Sequence, residues 1–469
     1  MTEKPAFIIA ATSSGCGKTT ITVGVLAALV KRGLKVQCFK CGPDFIDPTL
    51  HRSITAKTSY NLDLRMMGRD CCRETFFRKS AGADVVVVEG VMGLFDGGEA
   101  STAALAKTLG LPIFLVVDAK SVAESAAATL QGFQRFDPEL SLAGVIFNRI
   151  GSARHRQLID NAVKQHCSIP YIGYFGRDER CHIPQRHLGL HMGGEKPLGR
   201  EGLEYLIETV EKDLDLDLLL GKASIAFTDF SVDESRRQRK NKDETRKAYR
   251  LGVAVDEAFC FYYPQNFELF AERGFEIVEF SPIHDARLPA DLDMLYFGGG
   301  YPENFAAALS RNTAMRDQIA GAHNGNLPIY SECGGFMYLC QSLTDMHGDV
   351  YPMVGIFDCH TSMNRRLRKL GYRRATLLKD CLLGNKGDVL HGHEFHYSDI
   401  DKELESLNKE DHLYALDNNL DEGYSVGAAV GSYIHLHFGN TVSAIDHIAD
   451  YLSANRSSRN DDNQEYSPS

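Results

Sequence analysis

The sequence predicts an α/β protein with two domains, an N-terminal doubly wound parallel sheet followed by a second α/β domain. The chain has 469 residues, more than one hydrophobic core usually serves. Apolar strand patterns alternate with helical patterns in both halves, which is typical of sheets covered by helices. A charged stretch, "SVDESRRQRKNKDETRK", separates the halves. We therefore predict a first domain at 1–230, a linker at 231–249, a second domain at 250–454 and a disordered polar tail at 455–469.

Composition argues against several classes of protein. The net charge of −11 does not favour a nucleic-acid surface. No apolar run approaches the ~20 residues that span a bilayer, and "MTEKPAFIIA" lacks the features of a secretory leader. The twelve cysteines lack the second C-x-x-C or the spaced His pair of a zinc site, so free thiols are expected. We expect a cytoplasmic protein with no membrane or nucleic-acid partner.

The strands and helices follow from apolar periodicity. In the first half the strand patterns are "AFIIAAT", "KVQCF", "ADVVVVEG", "LPIFLVVD" and "LAGVIFNRI", with helical patterns "TTITVGVLAALVKRG" and "TAALAKTLG" between them. In the second half they are "LGVAVDE", "GFEIVEFSP", "DMLYFGGG", "LPIYSEC" and a closing "AAVGSYIHLHF". Short polar or glycine-rich segments join these patterns, so the side chains just after each strand are the candidates for chemistry.

A glycine-rich loop, "ATSSGCGKTT" at 11–20, follows the first strand and opens the first helix. Glycines let backbone N–H groups approach phosphate oxygens, and a helix start adds partial positive charge. Lys18 is expected to neutralise the β- and γ-phosphates of ATP, and the Thr19 hydroxyl to bind Mg²⁺. The loop departs from the Walker A pattern, which places a glycine where this chain has Thr12. The predicted nucleotide-binding residues of the loop are Ser14, Gly15, Cys16, Gly17, Lys18, Thr19 and Thr20.

Acidic residues at strand ends are candidates for the remaining magnesium ligands. Glu89 directly follows four valines, so it emerges at the carboxyl edge of a buried strand, where a lone charge is costly. Asp44 lies in "CGPDFIDPTLH", and with Thr19 and Glu89 it completes the predicted Mg²⁺ set. A helix cap or an ion pair is the alternative for Glu89, and ordinary turn chemistry is the alternative for Asp96 in "FDGG".

The stretch "LPIYSECGGFMYL" predicts a nucleophile elbow, in which a strand ends at Cys333 and a helix follows two glycines. A helix start and an adjacent base are expected to lower the pKa of the thiol. Candidate bases are His435 and His437, about a hundred residues downstream. Backbone N–H groups of an oxyanion hole are expected from Gly299, Gly300 and Gly334.

Together these motifs resemble the cobyrinate a,c-diamide synthase family, which joins a dethiobiotin-synthetase-like P-loop domain to a class I, triad-type glutamine amidotransferase domain. The resemblance covers roughly residues 5–452 and rests on "TSSGCGKTT", "KCGPDFIDPTLH", "NLDLRMM", "EGVMGLFDG", "RHLGL", "YFGGGYPE", "SECGGFMYL", "GHEFHYS" and "SYIHLHF". It implies Mg²⁺-dependent, ATP-dependent amidation of the a- and c-acetates of cobyrinic acid through an acyl phosphate. The ammonia would come from L-glutamine, and the acceptor would be a tetrapyrrole.

The resemblance also assigns individual residues. Ala11 stands where the family has glycine, and His437 stands where triad amidotransferases add Glu, so His435 is the implied base. In "GHEFHYS" we expect a hydrogen-bonded network rather than a metal site. The implied tetrapyrrole-binding residues are Phe45, in place of a frequent Tyr, with Asp47, Asp96, Arg186 and His187, and Asn148 is implied in nucleotide binding.

Two other functions stay open from the sequence. The first is the same amidation of another macrocycle, namely hydrogenobyrinate, sirohaem or nickel-sirohydrochlorin. The second is a P-loop regulatory ATPase with an inactive amidotransferase module, against which the intact Cys333, Gly334 and His435 count. For the oligomeric state, a homodimer is the arrangement that we consider.

Overall fold

The computed structural model describes residues 2–181, 183, 199–227, 249–400, 412–417 and 421–462. The chain divides into two compact units, Met1–Val232 and Asp233–Ser469. Of the predicted linker, residues 231–248 lie outside the described ranges.

The first unit is a parallel sheet covered by helices on both faces. Its strands are β1 (Thr2–Ala11), β2 (Val36–Cys41), β3 (Tyr60–Leu62), β4 (Val85–Glu89), β5 (Ile113–Asp118), β6 (Leu142–Ile150), β7 (Tyr171–Gly176) and β8 (Ser224–Phe227). Its helices are α1 (Lys18–Lys31), α2 (Asp47–Thr55), α3 (Gly68–Ser80), α4 (Thr102–Leu109), α5 (Ser125–Phe136), α6 (Ala153–His166), α7 (Arg200–Asp213) and α8 (Leu216–Lys222).

The strand order in this sheet is β3-β2-β4-β1-β5-β6-β7, with β8 antiparallel to the start of β1. The central strands are apolar throughout because helices bury both faces, and every residue of β4 is buried. Two separate hydrophobic clusters, one on each face, confirm the doubly wound arrangement. Strands β2, β4 and β1 are neighbours, so their carboxyl ends meet at one edge of the sheet.

The second unit is larger in sheet content than the sequence patterns indicate. Its strands are β9 (Tyr249–Ala254), β10 (Phe259–Phe261), β11 (Phe275–Phe280), β12 (Met294–Phe297), β13 (Gly299–Gly300), β14 (Ile329–Glu332), β15 (Cys340–Thr344), β16 (Val350–Pro352), β17 (Phe357–Met363), β18 (Lys369–Leu377), β19 (Val389–His396), β20 (Ser398–Ile400), β21 (His412–Leu416), β22 (Asp421–Val426), β23 (Ala429–Ser432) and β24 (His435–Leu436). Its helices are α9 (Pro264–Ala271), α10 (Ala306–Arg311), α11 (Thr313–Asn324), α12 (Gly334–Leu339) and α13 (Val442–Asp462).

The main sheet of this unit runs in the order β11-β9-β12-β14-β23-β22-β21-β18-β19-β24. The pairs from β11 to β23 are parallel, and those from β23 to β24 are antiparallel. The closing pattern "AAVGSYIHLHF" is therefore two strands, because β23 pairs with β14 and β24 pairs with β19. The carboxyl ends of β12, β14 and β23 lie side by side.

The last helix, α13, differs from the tail predicted at 455–469, since it continues to Asp462. Its first part packs apolar side chains into the core, and a helix nucleated in this way extends at little cost into polar sequence. Residues 463–469 lie outside the described ranges. Within the described ranges, no helix is long and apolar enough to cross a membrane.

Candidate active sites

The glycine-rich loop connects β1 to α1 at the carboxyl edge of the first sheet. Gly15 and Gly17 have φ of 78° and 87°, left-handed values that favour glycine, and Gly17 is the N-cap of α1. A Cβ at Gly17 would lie 2.1 Å from the Asn148 amide nitrogen, so the position also requires a bare backbone. A loop of this shape at a helix N-terminus is suited to bind a phosphate.

Some residues of the loop are exposed, whereas the Cys16 side chain is buried against other side chains of the loop. Ser14 and Gly15 are exposed, and Thr20 is half-buried. The Cys16 thiol is buried, 3.4 Å from the Thr12 hydroxyl and 3.2 Å from the Ser13 hydroxyl. Only the backbone of Cys16 therefore remains for a phosphate contact.

Thr19 contacts the last residue of β4, and Lys18 contacts the loop that follows it. The Lys18 ammonium donates to the carbonyl of Met92 at 3.1 Å, and the Thr19 hydroxyl donates to Glu89 Oε1 at 2.7 Å. Burial and the nearby Lys40 ammonium lower the pKa of Lys18. A phosphate at the loop would replace the carbonyl with a charged partner, which is the better acceptor for an ammonium.

A buried ion cluster lies beside the loop, with the Lys40 ammonium at its centre. Lys40 Nζ is 2.6 Å from Asp47 Oδ2, 3.1 Å from Glu89 Oε1 and 4.0 Å from Asp44 Oδ2. On the other side, His51 Nε2 is 2.7 Å from Glu89 Oε2. Register explains the meeting, because Lys40 and Glu89 are paired across β2 and β4. The ion pair considered as an alternative for Glu89 is thus present.

Charges within this cluster stabilise one another against burial. Burial alone would lower the pKa of Lys40, but the carboxylates of Asp47 and Glu89 raise it well above its usual range. Burial and Asp47 act to raise the pKa of Glu89, but Lys40 and His51 together lower it. Sequence reasoning missed Lys40 and His51 as members of the site. The signal available was a lysine inside the otherwise uncharged strand "VQCFKC", where a charge is costly unless paired.

The donors at this edge fit a magnesium ion held jointly with phosphates. Mg²⁺ takes oxygen ligands, usually one or two from the protein with phosphates and waters completing the set. The Thr19 hydroxyl and Glu89 carboxylate are in contact at the loop, and Asp44 and Asp47 lie around the same cluster. No group of three or more His, Cys, Asp or Glu among the described residues is arranged to hold a metal by itself. A metal caged by protein alone is therefore the poorer fit.

The other predicted residues of this half have defined places. Asp44 Oδ1 accepts the N–H groups of Ile46 and Asp47 at the start of α2. Asp96 Oδ2 accepts the Gly93 N–H at 3.0 Å, which is turn chemistry. The Asn148 amide donates to the Cys16 carbonyl at 2.6 Å and so braces the loop. Phe45 is half-buried before α2, whereas Arg186 and His187 lie outside the described residues.

The second site is built on Cys333, which lies directly after β14. Its φ of 46° and ψ of −106° are strained for a non-glycine residue, as in a nucleophile elbow. The turn needs glycine beside it, because a Cβ at Gly335 would lie 2.4 Å from the Phe297 carbonyl oxygen. The helix that follows, α12, is only six residues long.

The three predicted oxyanion glycines lie close to one another or to the predicted base. A Cβ at Gly334 would lie 3.1 Å from the Gly300 nitrogen. A Cβ at Gly299 would lie 2.2 Å from His435 Cε1, so that backbone packs directly on the imidazole edge. The Cys333 N–H donates to the Ser432 carbonyl at 2.7 Å, three residues before His435. The structure thus gathers the predicted residues of this site.

The expected lowering of the Cys333 pKa was wrong. Burial raises the pKa of Cys333 well above its usual range, and the Glu303 carboxylate adds to the rise. The Gly334 N–H opposes this shift but does not overcome it, because burial is the largest of the effects on the thiol. Burial also lowers the pKa of His435 to about 3. The resting pair is therefore a neutral thiol and a neutral imidazole.

His437 has the local partners of a structural residue. Its Nδ1 accepts the Gly439 N–H at 3.0 Å, and its ring packs on Tyr263 with centroids 5.0 Å apart. The "GHEFHYS" segment forms the expected hydrogen-bonded network, in which Glu394 accepts from Arg373 at 2.6 Å and contacts His396 at 2.8 Å.

Comparison with known proteins matches both units. Residues 7–190 match the family of CobQ/CobB/MinD/ParA nucleotide binding domains, and residues 250–442 match the CobB/CobQ-like glutamine amidotransferase domain. The chain is 41% identical to a cobyrinate a,c-diamide synthase of Salmonella typhimurium, over 94% of this chain and 97% of that protein. A Listeria monocytogenes protein of the same name is 42% identical, over 94% and 98%. One from Leptospira interrogans is 39% identical, over 93% and 96%. The chain belongs to the cobyrinate a,c-diamide synthase family.

Proposed function

We propose that this protein amidates the a- and c-acetate carboxylates of cobyrinic acid, using ATP and ammonia from L-glutamine. The observation that carries the proposal is the presence of two built sites in one chain that aligns over 94% of its length with cobyrinate a,c-diamide synthases. We assign ATP chemistry to residues 1–230 and glutamine hydrolysis to residues 250–454. A cytoplasmic location and a homodimer remain predictions, and sedimentation would check the second.

Glutamine hydrolysis uses the thiol and the imidazole. The Cys333 proton moves to His435 Nε2 as Sγ bonds to the amide carbon, and N–H groups of Gly299, Gly300 and Gly334 donate to the developing oxyanion. The C–N bond then breaks, and His435 returns the proton to the leaving nitrogen, which departs as NH₃. Water hydrolyses the thioester to glutamate. Neutral imidazole at rest suits this role because it can accept the proton.

ATP activates the acceptor carboxylate. A carboxylate oxygen bonds to the γ-phosphorus as the bond to ADP breaks, which gives an acyl phosphate. Ammonia adds to the acyl carbon and phosphate leaves. The loop amides at Gly15–Thr20 would hold the phosphates, Lys18 would neutralise their charge, and Asp47 and Phe45 would lie near the acceptor. Magnesium held by Thr19 and Glu89, with Asp44 nearby, would offset the charge on the transferred phosphoryl group.

A macrocycle panel tests the proposal. Purified protein is incubated with ATP, glutamine and one of cobyrinic acid, hydrogenobyrinate, sirohaem or nickel-sirohydrochlorin, and products are weighed by mass spectrometry. We expect two successive amidations of cobyrinic acid. Preference for another macrocycle would overturn the substrate assignment alone. Absence of glutamate release from the wild type would favour a regulatory ATPase instead.

A further inference from the structure

The thiol site needs a negative partner for its base. When His435 accepts the Cys333 proton, it becomes a buried cation, and the burial that lowers its pKa to about 3 opposes that step. In triad enzymes a carboxylate on the far ring nitrogen orients the imidazole and stabilises the imidazolium. His437 occupies the place where the sequence of such enzymes carries that carboxylate, and its Nδ1 is an acceptor for Gly439.

A carboxylate does reach His435, from a different part of the chain. Glu332 Oε2 lies 3.8 Å from His435 Nδ1, and the two side chains are 2% and 3% exposed. Glu332 is the last residue of β14, directly before Cys333. Contacts of this kind are often long before substrate binds and shorten in the reacting complex.

The Glu332 carboxylate is fixed by hydrogen bonds. Oε1 accepts the Leu436 N–H at 2.9 Å and the Tyr330 hydroxyl, and Oε2 accepts the Tyr296 hydroxyl at 2.9 Å. Leu436 is the residue after His435, so one bond ties the carboxylate to the chain beside the base. Glu332 therefore precedes the nucleophile in the chain, and its carboxylate is hydrogen-bonded to the residue that follows the base.

We propose that Glu332 is the positioning residue of His435, which holds Nδ1 protonated and stabilises the imidazolium formed when Nε2 takes the thiol proton. This inference rests on the proposed glutamine hydrolysis. In the active form of the enzyme Glu332 is ionised, and it accepts no proton during the reaction, so the proton balance of the Cys333 reaction is unchanged. In other triad sites this role belongs to the residue two places after the catalytic histidine, a place that His437 occupies in this chain.

Ionisation of Glu332 gives the role a pH signature. Burial raises its pKa to about 7, and the donors Tyr330, Leu436 and Tyr296 act against that rise. The ionised fraction therefore grows as pH rises through 7, and kcat for glutamine hydrolysis should grow with it. The titratable groups around Glu332 and His435 are Tyr262, Tyr296, Tyr330, Cys333, His393, Glu394, His396 and Tyr414.

The test is glutamine hydrolysis by full-length Glu332→Gln across pH 6 to 9. Glutamine keeps an acceptor oxygen for the Leu436 N–H, so the fold should be retained, but it carries no charge. We expect kcat to fall about 100-fold with KM for glutamine within about twofold of wild type. The rise of kcat near neutral pH should disappear. Glu332→Asp, which restores the charge, should recover part of kcat and of the pH dependence.

Glu422→Gln is the matched control. Glu422 is also a buried carboxylate that accepts a backbone N–H, from Tyr433 at 2.8 Å, and burial raises its pKa to about 8. This variant should keep the wild-type kcat and pH profile. Amidation supported by ammonium chloride should be unchanged in Glu332→Gln, since it bypasses the thiol.

Several outcomes would overturn the inference. The first is a wild-type kcat and pH profile in Glu332→Gln. The second is an equal loss of glutamine-supported and ammonium-supported amidation in this variant, because an equal loss indicates a general structural role. If Glu332→Gln does not fold, Tyr296→Phe removes one donor from Oε2, and the rise of kcat should move to higher pH; an unmoved profile would overturn the inference. Glutamine hydrolysis without amidation of any tetrapyrrole would overturn the proposed substrate but not Glu332.

Discussion

At the scale of single residues, Lys40 is the clearest case of a charge whose environment decides its effect. One buried ammonium offsets the carboxylates of Asp47 and Glu89, with Asp44 further away. Removal of one member of a buried ion pair is costly because its partner is left charged in a site that water does not reach. A surface pair with the same partners would matter far less.

We predict that Lys40→Met lowers the free energy of unfolding of the first unit by about 3 kcal/mol. Asp47 and Glu89 would lose their shared cation, and His51 would be the remaining positive partner of Glu89. Urea denaturation followed by circular dichroism measures the loss. The affinity for ATP, measured by calorimetry, should also fall in this variant. Lys40 holds Glu89, and Glu89 in turn contacts Thr19 of the phosphate-binding loop.

Arg32→Met is the control for this prediction. Arg32 also bonds two acidic side chains, Glu211 at 2.7 Å and Asp217 at 2.8 Å, but its side chain is 30% exposed. Its loss should change stability by less than about 1 kcal/mol. Equal effects of the two substitutions would mean that burial does not strengthen the Lys40 cluster.

Residue types at strand ends were predictable from the sequence, whereas their partners were not. Glu89 and Cys333 were found because an apolar strand ends at each, which is a local pattern. Lys40, His51 and Glu332 were missed because each acts through a residue distant in the chain, and register brings them together. The pKa of Cys333 was misjudged for the same reason, since burial is a property of the surrounding fold.

At the scale of elements, the β18–β19 pair shows how an ion network fastens two strands. Glu394 on β19 bonds Arg373 on β18 at 2.6 Å, and His396 and Lys369 also reach it. Burial would raise the pKa of Glu394, but the hydrogen bond from His396 and the charges of Lys369 and Arg373 lower it to about 2. The network therefore stabilises the pair only while Glu394 is ionised.

We predict that Arg373→Met lowers stability by about 2 kcal/mol at pH 7 and by less in acid. Because the folded pKa of Glu394 lies below the ordinary 4.5, its stabilisation is complete above pH 4.5 and is lost as pH falls toward 2. Urea denaturation of wild type and variant from pH 7 to pH 3 measures the difference. A difference that stays constant over this range would contradict the prediction.

Arg374→Met provides the comparison on the same strand. Arg374 is 52% exposed and its contact with Asp417 is 3.4 Å long. Its substitution should cost less than about 1 kcal/mol at every pH.

Among the elements, long apolar strands were predicted well and short or alternating ones poorly. Strands β4 and β5 coincide with apolar runs because both of their faces are buried. Strands β17 and β18 carry alternating polar residues and were not predicted, since one of their faces is wetter. The closing pattern was read as one strand because apolarity does not reveal which neighbour each half pairs with.

At the scale of the whole molecule, the proposed function divides one reaction between the two units. Ammonia is the only species that the proposed chemistry passes from the thiol site to the phosphate site. Each site can therefore be removed without chemical damage to the other. This division makes the proposed activity separable by substitution.

We predict that Cys333→Ala abolishes amidation with glutamine but keeps amidation with ammonium chloride. Lys18→Ala should reduce both by at least about 100-fold, because the phosphate charge is no longer offset. Product mass spectra and glutamate release distinguish the two patterns. Loss of ammonium-supported amidation in Cys333→Ala would contradict the assignment of separate chemistry to the two units.

The concealment of Cys333 has a practical side. No disulfide joins the described cysteines. Cys71, Cys167 and Cys260 are partly exposed, whereas Cys333 is 7% exposed. Peroxide and alkylating reagents should therefore react with Cys71, Cys167 and Cys260 before they react with Cys333. We therefore expect Cys333 to be oxidised more slowly in the resting enzyme than during glutamine hydrolysis, when its proton is removed.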